Sequence, residues 1–112
     1  SMILNNGSHK GKQVLSKKSI EAMQQNRIKD ADIIYSPTEA GNWGYGFGEW
    51  VMNENATNLS IVSSPGLFGS FPWVDNDRKY CAFLFTFNVR TMGRNNLYTE
   101  LKQLVDQAIE SK

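Results

Sequence analysis

One cysteine and one histidine in 112 residues leave no material for an internal disulfide or for a zinc cluster built from Cys and His. Cys81 lies inside an apolar run and is expected to behave as a small buried hydrophobe. His9 stands in a polar loop without a Cys or a second His beside it and reads as a solvated surface residue. No apolar run approaches the length of a membrane span; the longest, Cys81 to Phe87, has strand length. Charge of one sign is also missing, since 12 basic against 11 acidic residues give a formal net charge of +1. The densest basic group, Lys10, Lys12, Lys17 and Lys18, reads as a solvated face rather than a phosphate track, so nothing points to nucleic acid. No nucleophile, base and orienting acid occur in a recognisable spacing, and no metal or cofactor motif is present. Two N-glycosylation triplets, Asn55-Ala56-Thr57 and Asn58-Leu59-Ser60, have no secretory context and are discounted.

What remains is a chain of one-domain size with ordinary globular composition and no internal repeats. Met2-Ile3-Leu4 followed by Asn5, Asn6 and Gly7 reads as the last turn of a helix closing on a glycine at positive φ. Gly11 precedes a short extended piece. Ser16 then stands as an N-cap, with Leu15 before it and Ile20 four positions into the helix as a hydrophobic staple. About three turns are expected, with Ile20, Met23 and Ile28 as the docking stripe. Residues 29–42 read as a surface loop, and Trp43 to Met52 as a strand. That strand puts Gly44, Gly46, Gly48 and Trp50 on one face, where another backbone can come close. Its G-x-G-x-G is no dinucleotide fingerprint, because no helix follows.

Leu59 to Ser64, Phe68 to Asp75 and Lys79 to Asn88 read as three strands joined by Pro65-Gly66 and by Asp75-Asn76-Asp77-Arg78, hence antiparallel neighbours. Asp75 and Asp77 flank a turn and are expected to satisfy backbone N–H groups there rather than to pair for acid catalysis. The strand KYCAFLFTFN is apolar on both faces, as a central strand covered from two sides would be. Leu97, Leu101, Leu104, Val105, Ala108 and Ile109 define one face of a helix over 95–110, expected to lie across the sheet with Lys102 on its outer side. The architecture expected is therefore α+β: a small antiparallel sheet of three to four strands with an N-terminal docking helix and a C-terminal helix packed on it.

Three stretches, in this order, resemble the C-terminal part of serine β-lactamase-like hydrolases, a family that includes class C β-lactamases, D-Ala-D-Ala peptidases and related esterases. "MILNNGSHKGKQVLSKKSIEAM" is similar to the helix end, NGG, G-K-x-(I/V/L)-L-S and docking-helix segment that follows the family's catalytic tyrosine motif. "YGFGEWV" resembles its YGLGW strand. "SSPGLFGSFPWVDNDRKYCAFLFTFN" resembles the strand with the third active-site motif and the hairpin that closes the sheet. The resemblance implies a partial β-lactamase/transpeptidase-like fold for 1–112, read as a single domain and a C-terminal fragment of a larger hydrolase. Ser1 ahead of Met2 agrees with that reading.

The resemblance also implies a site. The family's K-T-G or H-x-G falls on Ser64, Pro65 and Gly66, expected to border substrate, and the backbone N–H of Leu67 falls where the family has one oxyanion-hole donor. Ser64 in place of Lys or His removes a cation, which weighs against penicillin-type specificity and leaves ester or peptide hydrolysis open. The family's S-x-x-K and Y-x-N motifs do not occur in these 112 residues. The implied parent acts through an acyl-enzyme on a β-lactam, peptide or ester without a cofactor, and the family implies a bacterial periplasmic, envelope or secreted location. This chain alone is expected to be inactive. In the family the strand at 79–88 pairs with an N-terminal strand, so here its edge is expected to drive self-association, unless the helix or 89–95 folds over it. From another class, the alternative is a non-catalytic α+β binding module using Trp43, Trp50 and Trp73 as contact surface.

Overall fold

The computed structural model describes residues 2–52, 61–88 and 92–111. Both glycosylation triplets and the start of the strand expected at Leu59 lie outside the described residues. Asn6 N–H donates to the Ile3 carbonyl at 3.1 Å and Gly7 N–H to that of Met2 at 2.9 Å, the paired closure of a helix C-terminus. Asn6 shares the left-handed conformation with Gly7 (φ 52° and 88°). A short hairpin follows, β1 (Ser8–His9) and β2 (Lys12–Gln13), turned by Lys10 and Gly11, both at positive φ.

Helix α1 covers Lys17–Met23, with Ser16 accepting from the Ser19 N–H at 3.0 Å. It is shorter than the expected three turns because its end is bound by another element. The Met23 carbonyl accepts from Phe47 N–H, and Arg27 N–H reaches the Tyr45 carbonyl. Asn26 Oδ1 accepts from the amides of Ile28 and Tyr45, turning the chain out of helix. The glycine-rich face permits this contact. A Cβ on Gly46 would stand 1.9 Å from the Met23 carbonyl oxygen.

The segment 43–52 is not one strand. Phe47-Gly48, with Gly48 at φ 81°, folds it into a hairpin of β3 (Gly44–Tyr45) and β4 (Trp50–Val51). With β5 (Ile61–Ser63), β6 (Phe71–Asp75) and β7 (Tyr80–Leu84), this gives a five-stranded antiparallel meander in the order β3-β4-β5-β6-β7. The α+β class expected from the sequence holds, with the extra strand supplied by that hairpin. At the β6–β7 turn, Asp75 Oδ1 accepts from the N–H groups of Asp77 (3.0 Å) and Arg78 (2.8 Å), the local role read for it from sequence.

Helix α2 (Arg94–Glu110) packs on the face carrying Phe71, Trp73 and Ala82. Phe71 stacks on Tyr98 at 4.3 Å and on Trp73 at 4.8 Å between ring centres, with Leu84, Leu101 and Val105 around them. The helix is rotated from the leucine face predicted for it: Arg94, Tyr98 and Lys102 are buried, while Leu97 (54%) and Leu104 (63%) stay exposed. Lys102 is therefore not on an outer face. Its ammonium is held by Asp75 at 2.7 Å and by Asp106 at 2.8 Å.

The last strand departs from the central-strand reading, while its open edge is the one the family resemblance implied. Among the described residues β7 pairs with β6 only, so it is an edge rather than a central strand. Its alternation sends Ala82 and Leu84 under α2 and turns Cys81, Phe83, Phe85 and Phe87 outward. Cys81 is exposed for that reason, not buried.

Candidate functional site

The turn between β5 and β6 is not made at Pro65-Gly66. Gly66 N–H donates to the Ser70 carbonyl at 2.8 Å and Gly69 N–H to that of Gly66 at 3.0 Å, enclosing a three-residue loop, Leu67-Phe68-Gly69. Gly69 takes the left-handed conformation at φ 91°, which closes such a loop. Turn chemistry thus accounts for Gly69. It does not account for Gly66, whose φ is not positive and whose absent Cβ would meet nothing nearer than Ser70 at 3.7 Å.

Around this loop the sequence-predicted positions separate by environment. Ser63 is buried and donates its hydroxyl to the Pro72 carbonyl at 2.7 Å, which ties the end of β5 to β6. Ser64 is exposed, Pro65 and Gly66 are half-buried, and the Leu67 side chain points to solvent. These four residues form a continuous rim beyond the last β4–β5 pair, Trp50 with Ser63.

The loop carbonyls are all engaged from the inner side. Leu67 accepts from Arg94 Nη1 at 2.7 Å, Phe68 from Asn88 N–H at 2.7 Å, and Gly69 from the Tyr98 hydroxyl at 3.0 Å. By contrast, the N–H groups of Leu67 and Phe68 find no acceptor among the described residues. Within a trans peptide the C=O and N–H point in opposite directions. With the Leu67 carbonyl drawn inward, the Phe68 N–H faces out; with the Gly66 carbonyl bound inside the loop, so does that of Leu67. Such a backbone edge attracts negative charge.

Arg94 and Tyr98 carry no motif, and sequence reading passed them over; their partners lie 27 and 29 residues earlier, beyond any local spacing. Arg94 is buried and pairs with Glu39 at 3.2 Å, and Asn95 donates to the Glu39 carbonyl, so the start of α2 joins the β5–β6 loop to the segment before β3. Burial pushes the Tyr98 phenol pKa up, against the opposing pull of the Arg94 charge, so it remains a hydroxyl donor.

On the other side of β4 lies an open cleft of about 930 Å³ bordered by Tyr35, Trp43, Tyr45 and Trp50 with Asn26 and Asn42. Tyr45 meets Trp50 edge to face at 4.7 Å. Trp73, one of three tryptophans considered as contact surface, is buried in the core instead. No group of three metal-ligating side chains occurs among the described residues, and no described helix is long and apolar enough to cross a membrane.

No protein-family model matches this sequence, and no curated protein does. Among solved structures, the chain is similar to a "putative beta-lactamase" from Bacteroides dorei DSM 17855, with 22% identity and a TM-score of 0.68 over 94% of the chain. It spans 37% of that protein's length. The likeness establishes a β-lactamase-like fold.

Proposed function

We propose that these 112 residues are the C-terminal part of a β-lactamase-like serine hydrolase and supply one wall and one oxyanion donor of its acyl-transfer site. The observation that carries the reading is the pair Gly66 and Leu67. Gly66 is a glycine the turn does not need, and Leu67 offers an unengaged, outward N–H immediately after it. A donor fixed in place before charge develops stabilises the tetrahedral transition state by about 3 kcal/mol. Gly66 leaves room for an acyl group beside it, and Ser64 and Pro65 line the approach. The nucleophilic serine with its lysine and tyrosine would come from polypeptide outside this sequence. The Trp43, Tyr45 and Trp50 cleft would take the rest of a small-molecule or peptide substrate, and its half-apolar lining suits an ester or amide better than a highly charged ligand.

As an isolated chain the protein would also partner itself, because β7 presents an unpaired edge with exposed Phe83, Phe85 and Phe87.

The test is acylation. A polypeptide that joins the preceding coding sequence to this chain should react at an upstream serine with a fluorescent penicillin or a fluorophosphonate. It should also turn over nitrocefin or p-nitrophenyl esters, while the 112 residues alone should not exceed background. Absence of S-x-x-K and Y-x-N from that preceding sequence, or turnover by the isolated chain that a substitution within it abolishes, overturns the proposal.

A further inference from the structure

We infer that Arg94 and Tyr98 are positioning residues for the Leu67-Phe68 edge, holding its carbonyls inward so that only N–H groups face the site. The inference rests on reading Leu67 as an oxyanion donor. The Leu67-Phe68 peptide is the central unit of the turn closed by Gly69 N–H and the Gly66 carbonyl. Central peptides of this kind have two orientations, related by a flip that interchanges type I and type II turns. In the flipped form the Leu67 carbonyl would face outward, and its partial negative charge would oppose an oxyanion at the neighbouring N–H. The flipped form would also put Phe68 at positive φ, which its Cβ opposes; Arg94, bound to the Leu67 carbonyl at 2.7 Å, adds to that preference for the unflipped form. Tyr98 binds the Gly69 carbonyl at 3.0 Å and so holds the Gly69-Ser70 peptide, which closes the loop, with its carbonyl inward.

Arg94 is a costly choice for mere packing. A buried ion pair is commonly no more stable than apolar residues of equal volume, so a guanidinium placed here calls for another reason. Two of its donors go to backbone carbonyls: Nη1 to that of Leu67 and Nη2 to that of Asn88, whose own N–H binds the Phe68 carbonyl. One side chain thus reaches both ends of the loop's inner hydrogen bonding. The remaining partner, Glu39, belongs to the segment leading to the aromatic cleft, so the same residue fixes the donor edge relative to that wall.

The experiment uses the 112-residue chain and reads orientation rather than chemistry. The residual dipolar coupling of the Phe68 amide, the N–H of the Leu67-Phe68 peptide, should change in Arg94→Met while those of the remaining amides of Phe71 to Asp75 keep a common alignment. The Asn88 amide should lose roughly five- to tenfold of its exchange protection, the effect of one hydrogen bond. Arg94→Lys, which can still donate to the Leu67 carbonyl, should retain most of the native couplings. If Arg94→Met does not fold, Tyr98→Phe carries the test: it keeps the stacking on Phe71, and the coupling of the Ser70 amide, which shares a peptide with the Gly69 carbonyl, should change. Native loop couplings in Arg94→Met, or in Tyr98→Phe where that variant carries the test, overturn the inference whatever happens to Tm. Failure of the hydrolase reading is separate, since unchanged kinetics on substituting Gly66 would remove Leu67 from the chemistry without moving these couplings.

Discussion

The Lys102 ammonium lies 2.7 Å from Asp75 Oδ2, with both side chains buried between α2 and the β6–β7 hairpin. Asp106 binds the same ammonium and accepts from the Tyr80 hydroxyl at 2.6 Å, and Trp73 Nε1 donates to Tyr80 in turn. Arg78 closes the outer side through Asp75 and Glu110. An apolar stripe alone lets a helix roll; this network is satisfied in the rotation that seats Tyr98 and Arg94 behind the β5–β6 loop.

Lys102→Met should therefore destabilise the protein by about 3–5 kcal/mol, because Asp75 loses its nearest cation while still buried. Urea denaturation reads the loss. In a double-mutant cycle with Asp75→Asn, the coupling should exceed about 1 kcal/mol; additive costs would show that the pair does not fix the helix.

Stability should fall at both extremes of pH. Burial pushes the Asp75 carboxyl up, but the Arg78 N–H and Lys102 outweigh it and hold it below its ordinary 3.8. Its contribution is thus complete above about pH 3.8 and lost as pH falls through the depressed value. For Lys102, burial pulls the ammonium down, and Asp106 and Asp75 more than restore it, above 10.5. That contribution holds below pH 10.5 and disappears as pH rises through the raised value. Glu49, pushed above 4.5 by burial against a bond from Gln24, runs opposite to Asp75: its share is present below 4.5 and lost as pH rises through its raised value. Asp75→Asn should remove the acid limb of the Tm profile; an unchanged limb assigns it to other groups.

How much of this was legible follows from the range of each interaction. Ser16 caps its helix and Asp75 its turn through bonds within three residues, and both were readable. The glycine face at 44–48 announced a close approach, though not that Gly48 would fold the segment back on itself. The α2 rotation was illegible because it is fixed by Asp75 across the fold, against a leucine pattern that pointed elsewhere. Cys81 and the phenylalanines at 83, 85 and 87 point to an interior strand because the run is apolar along both faces, whereas the sheet leaves one side of it uncovered. At the candidate site, the proposal of Ser64 to Leu67 rests on resemblance. Arg94 and Tyr98 were illegible, having neither motif nor local spacing.

The two glycines of the β5–β6 connection should respond in opposite ways. Gly69→Ala forces a Cβ into the left-handed region, 3.3 Å from Thr86, and should cost about 1–2 kcal/mol. Gly66→Ala makes only ordinary contact, with Ser70 at 3.7 Å, and should leave stability within about 0.5 kcal/mol. Thermal melts of the two variants decide it, and the reverse ranking would place the turn at Gly66. In an active hydrolase containing this chain, Gly66→Val should lower kcat about a hundredfold by crowding the acyl group away from the donor, with little change in Tm.

The isolated chain should dimerise through β7. Tyr80 to Leu84 use one edge on β6, and the other is unpaired among the described residues, so a row of N–H and C=O groups faces outward. Beside it stand Phe83 (56% exposed), Phe85 (83%) and Phe87 (79%), and between β7 and α2 a groove of about 300 Å³ opens past Leu84, Leu97 and Leu101. Two copies meeting antiparallel across a two-fold axis would pair both edges at once and place apolar side chains of each in the groove of the other. The described part of α2 does not compete, because it covers the face beneath Ala82 and Leu84 rather than the edge. Sedimentation velocity across a concentration series should show a dimer by the high micromolar range, and a chain that stays monomeric there defeats the prediction. Leu84→Pro should abolish the dimer together with much of the fold, since proline removes a ladder donor. Phe85→Lys should weaken it without lowering the monomer's Tm, and Gln103→Glu, on the exposed side of α2, should leave it intact.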